Sequence, residues 1–141
     1  DEGTREPSSG QFNTLELDDF YQRARRLFPK MLLARSVAFK HQQEIYPSGL
    51  TTAVKTAVPY MDILVTSGPA TGQPPNPEKI QQMSAAADGH PLAIASGITY
   101  QNLSAFKPNT DCFMVNSGLC EESHMLSSRL LKEFAARLRR D

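Results

Sequence analysis

The sequence predicts an α/β protein: a four-stranded parallel sheet with flanking helices. Three observations carry that expectation. Short apolar runs alternate with helix-period segments, in the order helix, then strand-helix four times. Parallel neighbours need such crossovers, because consecutive strands must restart at the same edge. The run Ile63-Leu64-Val65 is apolar without alternation, as suits a strand covered on both faces. It leads through a bend rich in glycine and hydroxyls into a well-marked helix start, which is half of a crossover unit.

Taken in order, residues 1–12 form a flexible lead-in, because Asp1 to Gly10 hold no apolar residue and are rich in Ser, Gly and Pro. Residues 13–141 are expected to form a single α/β domain. Asn13 or Thr14 can cap a helix through Phe28, with Leu17, Phe20, Tyr21, Ala24 and Leu27 at helical spacing; Pro29 ends it. Lys30 to Phe39 reads as an apolar strand interrupted by Arg35 and Ser36, followed by Lys40, His41 and Gln42. A polar loop with Pro47, Ser48 and Gly49 precedes a short helix holding Leu50, Val54, Ala57 and Val58, closed by Pro59. After the second strand, Asn76 can cap the next helix, Pro77 suits its first position and Glu78 suits its positive end. Asp88-Gly89 stops it in the left-handed conformation. Pro91 to Ala95 is the third strand; Thr99 then caps a short helix with Leu103 and Phe106. Asp111 to Val115 is the fourth strand, and a closing helix from about Glu121 to Arg139 puts Met125, Leu126, Leu130, Phe134 and Leu138 on one face.

Composition narrows the function classes. Fifteen basic and fifteen acidic residues balance over 141 residues, which gives no support for nucleic-acid or membrane-surface binding. No apolar run approaches the roughly 20 residues needed to span a bilayer. Cys112 and Cys120 fall at the start of a strand and beyond its end, so plain thiols and an intracellular setting, cytoplasmic or organellar, are expected. No cofactor is expected, since there is no Walker-type loop, Rossmann glycine triplet, nucleophile elbow or metal-spaced His or Cys cluster.

The strand ends share a chemistry. Thr66-Ser67-Gly68, Ser96-Gly97 and Asn116-Ser117-Gly118 each close a strand with hydroxyl and glycine residues, and Thr71-Gly72 extends the first bend. In a parallel sheet all three lie on one edge. Glycine lets backbone approach an anion closely, free N–H groups and a helix N-terminus donate to it, and hydroxyls add donors. The cluster fits phosphate or another anion; the alternative is ordinary turns with no ligand. Lys40 and His41 can bind an anion or move a proton, or can simply be a solvated strand end. Arg35 is expected to pair with an acid such as Asp62 across the sheet, rather than with a ligand. His90 falls at the opposite edge and reads as structural. His124 lacks partners at metal spacing, and Cys120 reads as an idle thiol.

From Leu32 to Leu119 the chain resembles the C-terminal half of BtpA-like proteins, which are phosphate-binding (β/α)8 barrels. The resemblance rests on Lys40-His41 after a strand, on DILVTSGPATGQPPNPEKI with its Thr-Gly and prolines, and on IASGIT and FMVNSGL. It implies half of a (β/α)8-type barrel, since such a barrel needs eight strands and typically about 250 residues. A homodimer or association with another half-barrel would complete it; the alternatives are a truncated relative with an open sheet or a fragment of a longer protein. It also implies an anion held by Thr66, Gly68, Thr71, Gly72, Ser96, Gly97, Asn116, Ser117 and Gly118, with Lys40 or His41 nearest the reacting group. The family tends to carry an acid a few positions before Lys-His, where this chain has Arg35 or Ser36. That leaves no obvious base at the strand. Two functions therefore stay open: binding a phosphorylated small molecule or phosphate, with the reaction unspecified, and a non-catalytic assembly or stability factor that keeps the fold without chemistry.

Overall fold

The computed structural model describes residues 14–40, 49–121 and 125–139. The elements are α1 (Thr14–Leu27), β1 (Ala34–Ser36), α2 (Leu50–Ala57), β2 (Ile63–Thr66), α3 (Pro77–Ala87), β3 (Leu92–Ile94), α4 (Leu103–Phe106), β4 (Cys112–Phe113) and α5 (Ser128–Arg139). The four strands form one sheet in the order β1-β2-β3-β4, every neighbouring pair parallel, as the alternating pattern predicts. Leu64 pairs in register with Arg35 on one side and Leu92 on the other. All four strands therefore end on one rim, and the three hydroxyl-glycine bends lie along it.

The core forms because the two central strands, β2 and β3, are mainly apolar and covered on both faces. Leu64, Leu92 and Ile94 cluster with Val54 and Ala57 of α2, Ile80 and Met83 of α3, and Leu103 and Phe106 of α4. Each large side chain so buried contributes roughly 1.5–3 kcal/mol. The start of α3 follows its sequence signals: the Asn76 side chain accepts a hydrogen bond from the Glu78 backbone N–H (2.9 Å), with Pro77 at the first position. Its end does too, with Asp88 and Gly89 both left-handed (φ 50° and 84°).

Several expectations need correction. The first strand is three residues long and does not run from Lys30 to Phe39. The Leu33 carbonyl accepts from the backbone N–H groups of Asp62 and Ile63, but Met31 and Leu32 remain exposed, so the apolar run before Ala34 is not a buried strand. At the far end, Ala38 turns the chain out of the sheet with φ 48°. Asp62 does not serve Arg35. Its carboxylate is taken by Arg25 of α1 and by the Leu33 N–H (2.6 Å), which ties α1 to the entry of the first two strands. Arg35 lies over the Phe20 ring instead (4.9 Å to the centroid), and burial pushes its guanidinium pKa down from the usual value. Of the apolar face expected for α1, Leu17 and Ala24 are buried, while Phe20 and Leu27 stay exposed.

The last helix starts at Ser128, not near Glu121, so Met125 and Leu126 are not part of it. The Ser127 hydroxyl accepts from the Leu130 N–H (3.3 Å), which makes Ser127 the cap, and Cys120 and Leu126 form an antiparallel bridge. Ser127 also donates to Glu121 (2.8 Å); this bond, and then Arg129, hold the Glu121 carboxyl below the usual carboxylate range. Phe134 of α5 is buried in the core, and Leu130 packs partly against it. Thr99 does not cap α4 directly. It exchanges hydrogen bonds with Asn102, which stands just before the helix.

Candidate functional site

Where β1 and β2 end, their loops are stitched together by side chains. The Lys40 N–H donates to the Ser67 hydroxyl (2.8 Å), and Thr66 donates from its hydroxyl to the Ala38 carbonyl (3.2 Å). Lys79, in the first turn of α3, donates to the carbonyls of both Ala38 (2.6 Å) and Ser67 (2.8 Å). Lys40 extends its ammonium to the Thr71 hydroxyl (2.8 Å). Thr66 and Ser67 are fully buried.

These contacts frame a cleft of about 410 Å³ between the β1 end, the β2–α3 loop and the N-terminus of α3. Its charged lining residues, among the described residues, are Lys40 and Lys79; no carboxylate lines it. The 11-residue α3 adds the positive end of its dipole beside Asn76. An anion entering here meets two ammonium groups and a helix terminus, with no opposing charge among the described lining residues. Ala38, a non-glycine residue in the left-handed region, sits on the wall. Such backbone strain persists where surrounding contacts hold it.

The structure brings some predicted residues to this cleft and keeps others away. Lys40 and Gly68 line it, Thr66 lies beneath it, and Thr71 holds Lys40 at its edge. His41 lies outside the described residues, as does His124. Gly72 is exposed in a left-handed turn (φ 79°) with nothing near its missing side chain. Gly68, Gly97 and Gly118 are different: the space beside each is filled by the chain's own backbone. A methyl on Gly68 would stand 2.6 Å from the Pro74 carbonyl carbon and nearer still to the Gln73 oxygen. One on Gly97 would overlap the backbone of Gln73 and Pro74, and one on Gly118 would overlap the Ile98 carbonyl. The β2–α3 loop thus threads between two glycines of the rim.

Ser96 joins the same packing, donating to the Ala70 carbonyl (3.1 Å). Asn116 and Ser117 open a turn of 3₁₀ helix, Ser117–Leu119, further along the rim, and both are exposed. His90 lies at the opposite edge, in the turn after α3, near Lys107 and Asp111. Neither Cys112 nor Cys120 is in a disulfide, and the Cys120 thiol donates to the Asn116 carbonyl (3.3 Å).

Sequence reasoning missed Lys79. The signal was present: a lysine in the first turn of a helix opposes the dipole, so something else must hold it there. Two carbonyl oxygens from neighbouring strand ends do so. Ser67 reads as part of the first hydroxyl-glycine bend but is not counted there among the residues holding the anion.

The chain is similar to the photosystem I biogenesis protein BtpA of Synechocystis sp. (strain ATCC 27184 / PCC 6803 / Kazusa), with 32% identity over 97 residues. The match covers 67% of this chain and 34% of that protein, so the chain spans about a third of the relative's length. No family model and no solved structure matches. A four-stranded parallel sheet matched to part of BtpA is consistent with a BtpA-like partial barrel.

Proposed function

We propose that the chain binds a phosphorylated small molecule or phosphate in the cleft between the ends of β1 and β2. The observation that carries this reading is the pairing of Lys40 and Lys79 with the N-terminus of α3 on one wall whose described lining residues include no carboxylate. Thr66, Gly68 and Thr71 shape and brace that wall; Ser96, Gly97 and Gly118 support it by packing the loops, and Asn116 and Ser117 border the rim beyond. His41 follows Lys40 in the chain, so any proton transfer at a bound ligand falls to this pair. The outer edges of β1 and β4 carry no further strand among the described residues, and there a second copy or another half-barrel would pair.

The test is thermal unfolding with inorganic phosphate and sulfate. Ligand at 100 times its Kd stabilises by about 2.7 kcal/mol, a rise of several degrees. Lys40→Ala should lose most of that rise while keeping its ligand-free melting temperature. No rise with any phosphate-bearing ligand points to the second reading, an assembly or stability factor without a ligand. Two observations favour that alternative: the cleft presents no base among its described lining residues, and the relative's name assigns it to photosystem I biogenesis. Under it, this chain serves the assembly of such a complex. None of its described helices is long and apolar enough to cross a membrane.

A further inference from the structure

The cleft is larger and more apolar than a bare anion needs. At about 410 Å³ it falls in the range of roughly 300–1,000 Å³ typical of clefts for small organic molecules. A phosphate ion fills only its charged end. Gly68 adds no side chain, and those of Ser67 and Asn76 bond to the backbone of Lys40, Gly68 and Glu78. The rest of the wall is Ala38, Phe39, Pro69 and Pro75, side chains with no hydrogen-bonding group to offer. The charged and apolar parts adjoin, since the Lys40 ammonium stands 5.9 Å from the centre of the Phe39 ring. A ligand that brings its anionic oxygens to Lys40 therefore places the atoms next to them along Phe39 and the prolines. Sugar hydroxyls in that position would lose water without gaining partners, at a cost of about 1–3 kcal/mol each. A flat ring gains by stacking on an aromatic face.

We infer that the ligand is a phosphomonoester of the aryl phosphate kind, its phosphate carried directly on a flat, largely apolar ring. This rests on the anion reading above and narrows it. Isothermal titration of the full chain with inorganic phosphate, ribose 5-phosphate, phenyl phosphate and AMP tests it. Phenyl phosphate should bind at least about tenfold more tightly than ribose 5-phosphate, the usual scale of one stacking contact, whereas AMP, whose ribose stands between phosphate and base, should not. Phenyl phosphate alone passing that mark supports the aryl class; AMP passing it as well overturns the exclusion of a sugar beside the phosphate, and with it the aryl assignment.

Phe39→Ala should abolish the preference and leave inorganic phosphate within about twofold. Should that variant fail to fold, Phe39→Leu keeps the apolar volume without the ring face and should cut the preference severalfold. Equal affinity for all four ligands overturns the ring inference and leaves the anion reading standing. A preference that survives Phe39→Ala in a folded chain overturns the assignment of the ring to this wall. No binding by any of the four overturns both readings together.

Discussion

Gly97→Ala is expected to cost about 3 kcal/mol or more, enough to unfold much of a domain whose total stability is of order 5–15 kcal/mol. Two penalties add. The residue sits at φ 68°, where a side chain is strained by about 1–2 kcal/mol. Its methyl would also drive into the Gln73-Pro74 backbone, which has no side-chain rotamer with which to retreat. Urea unfolding measures the loss as a lower midpoint at unchanged slope. Gly72→Ala is the internal control: the same left-handed backbone, φ 79°, faces open space, so its cost should be about 1–2 kcal/mol. Equal midpoints for the two variants would mean that the threading of the β2–α3 loop past Gly97 does not matter to the fold.

Lys79→Met should weaken phosphate binding by at least about tenfold and lower stability by about 1–3 kcal/mol. The two effects share one origin. The ammonium neutralises the Ala38 and Ser67 carbonyls at the ends of adjacent strands, and the same charge faces the cleft. Methionine keeps the length of the side chain and removes the donor. Lys40→Ala separates the effects, because the Lys40 side chain reaches an exposed threonine and holds no strand end. Phosphate affinity unchanged in folded Lys79→Met would remove the cleft from the account, whatever happened to stability.

Much of the fold was legible in the sequence because its signals are local. Alternating apolar runs and helix periods fixed four parallel strands in chain order, and Asn76-Pro77 and Asp88-Gly89 marked both ends of α3 as found. Boundaries that depend on tertiary competition were not legible. The Met31-Leu32 run looks like a strand, yet it stays exposed because Asp62 and Ile63 pair with Leu33 and set where the sheet begins. Met125 and Leu126 fit a helical face, yet Ser127 caps the helix after them. Arg35 and Asp62 looked like partners, since one lies in the first strand and the other just before the second, but Arg25 reaches Asp62 from a helix 37 residues away in the chain.

The candidate site was legible in part. The shared rim follows from parallel strands alone, and the glycine-rich bends do lie along it. What a single sequence could not reveal is that glycine permits two close approaches, one by a ligand and one by the chain itself. At Gly68, Gly97 and Gly118 the chain's own backbone makes the approach. Lys79 escaped notice for the converse reason: its partners are backbone carbonyls, which leave no trace in residue type.

The central claim places an anion between the ends of β1 and β2 rather than over the whole glycine rim. Backbone amide NMR shifts followed through a phosphate titration test it most directly. The amides of Lys40, Ser67, Asn76 and Lys79 should move together on one binding curve, while those of Asn116, Ser117 and Gly118 stay in place. Movement centred on residues 116–118, or no saturable movement anywhere, would contradict it.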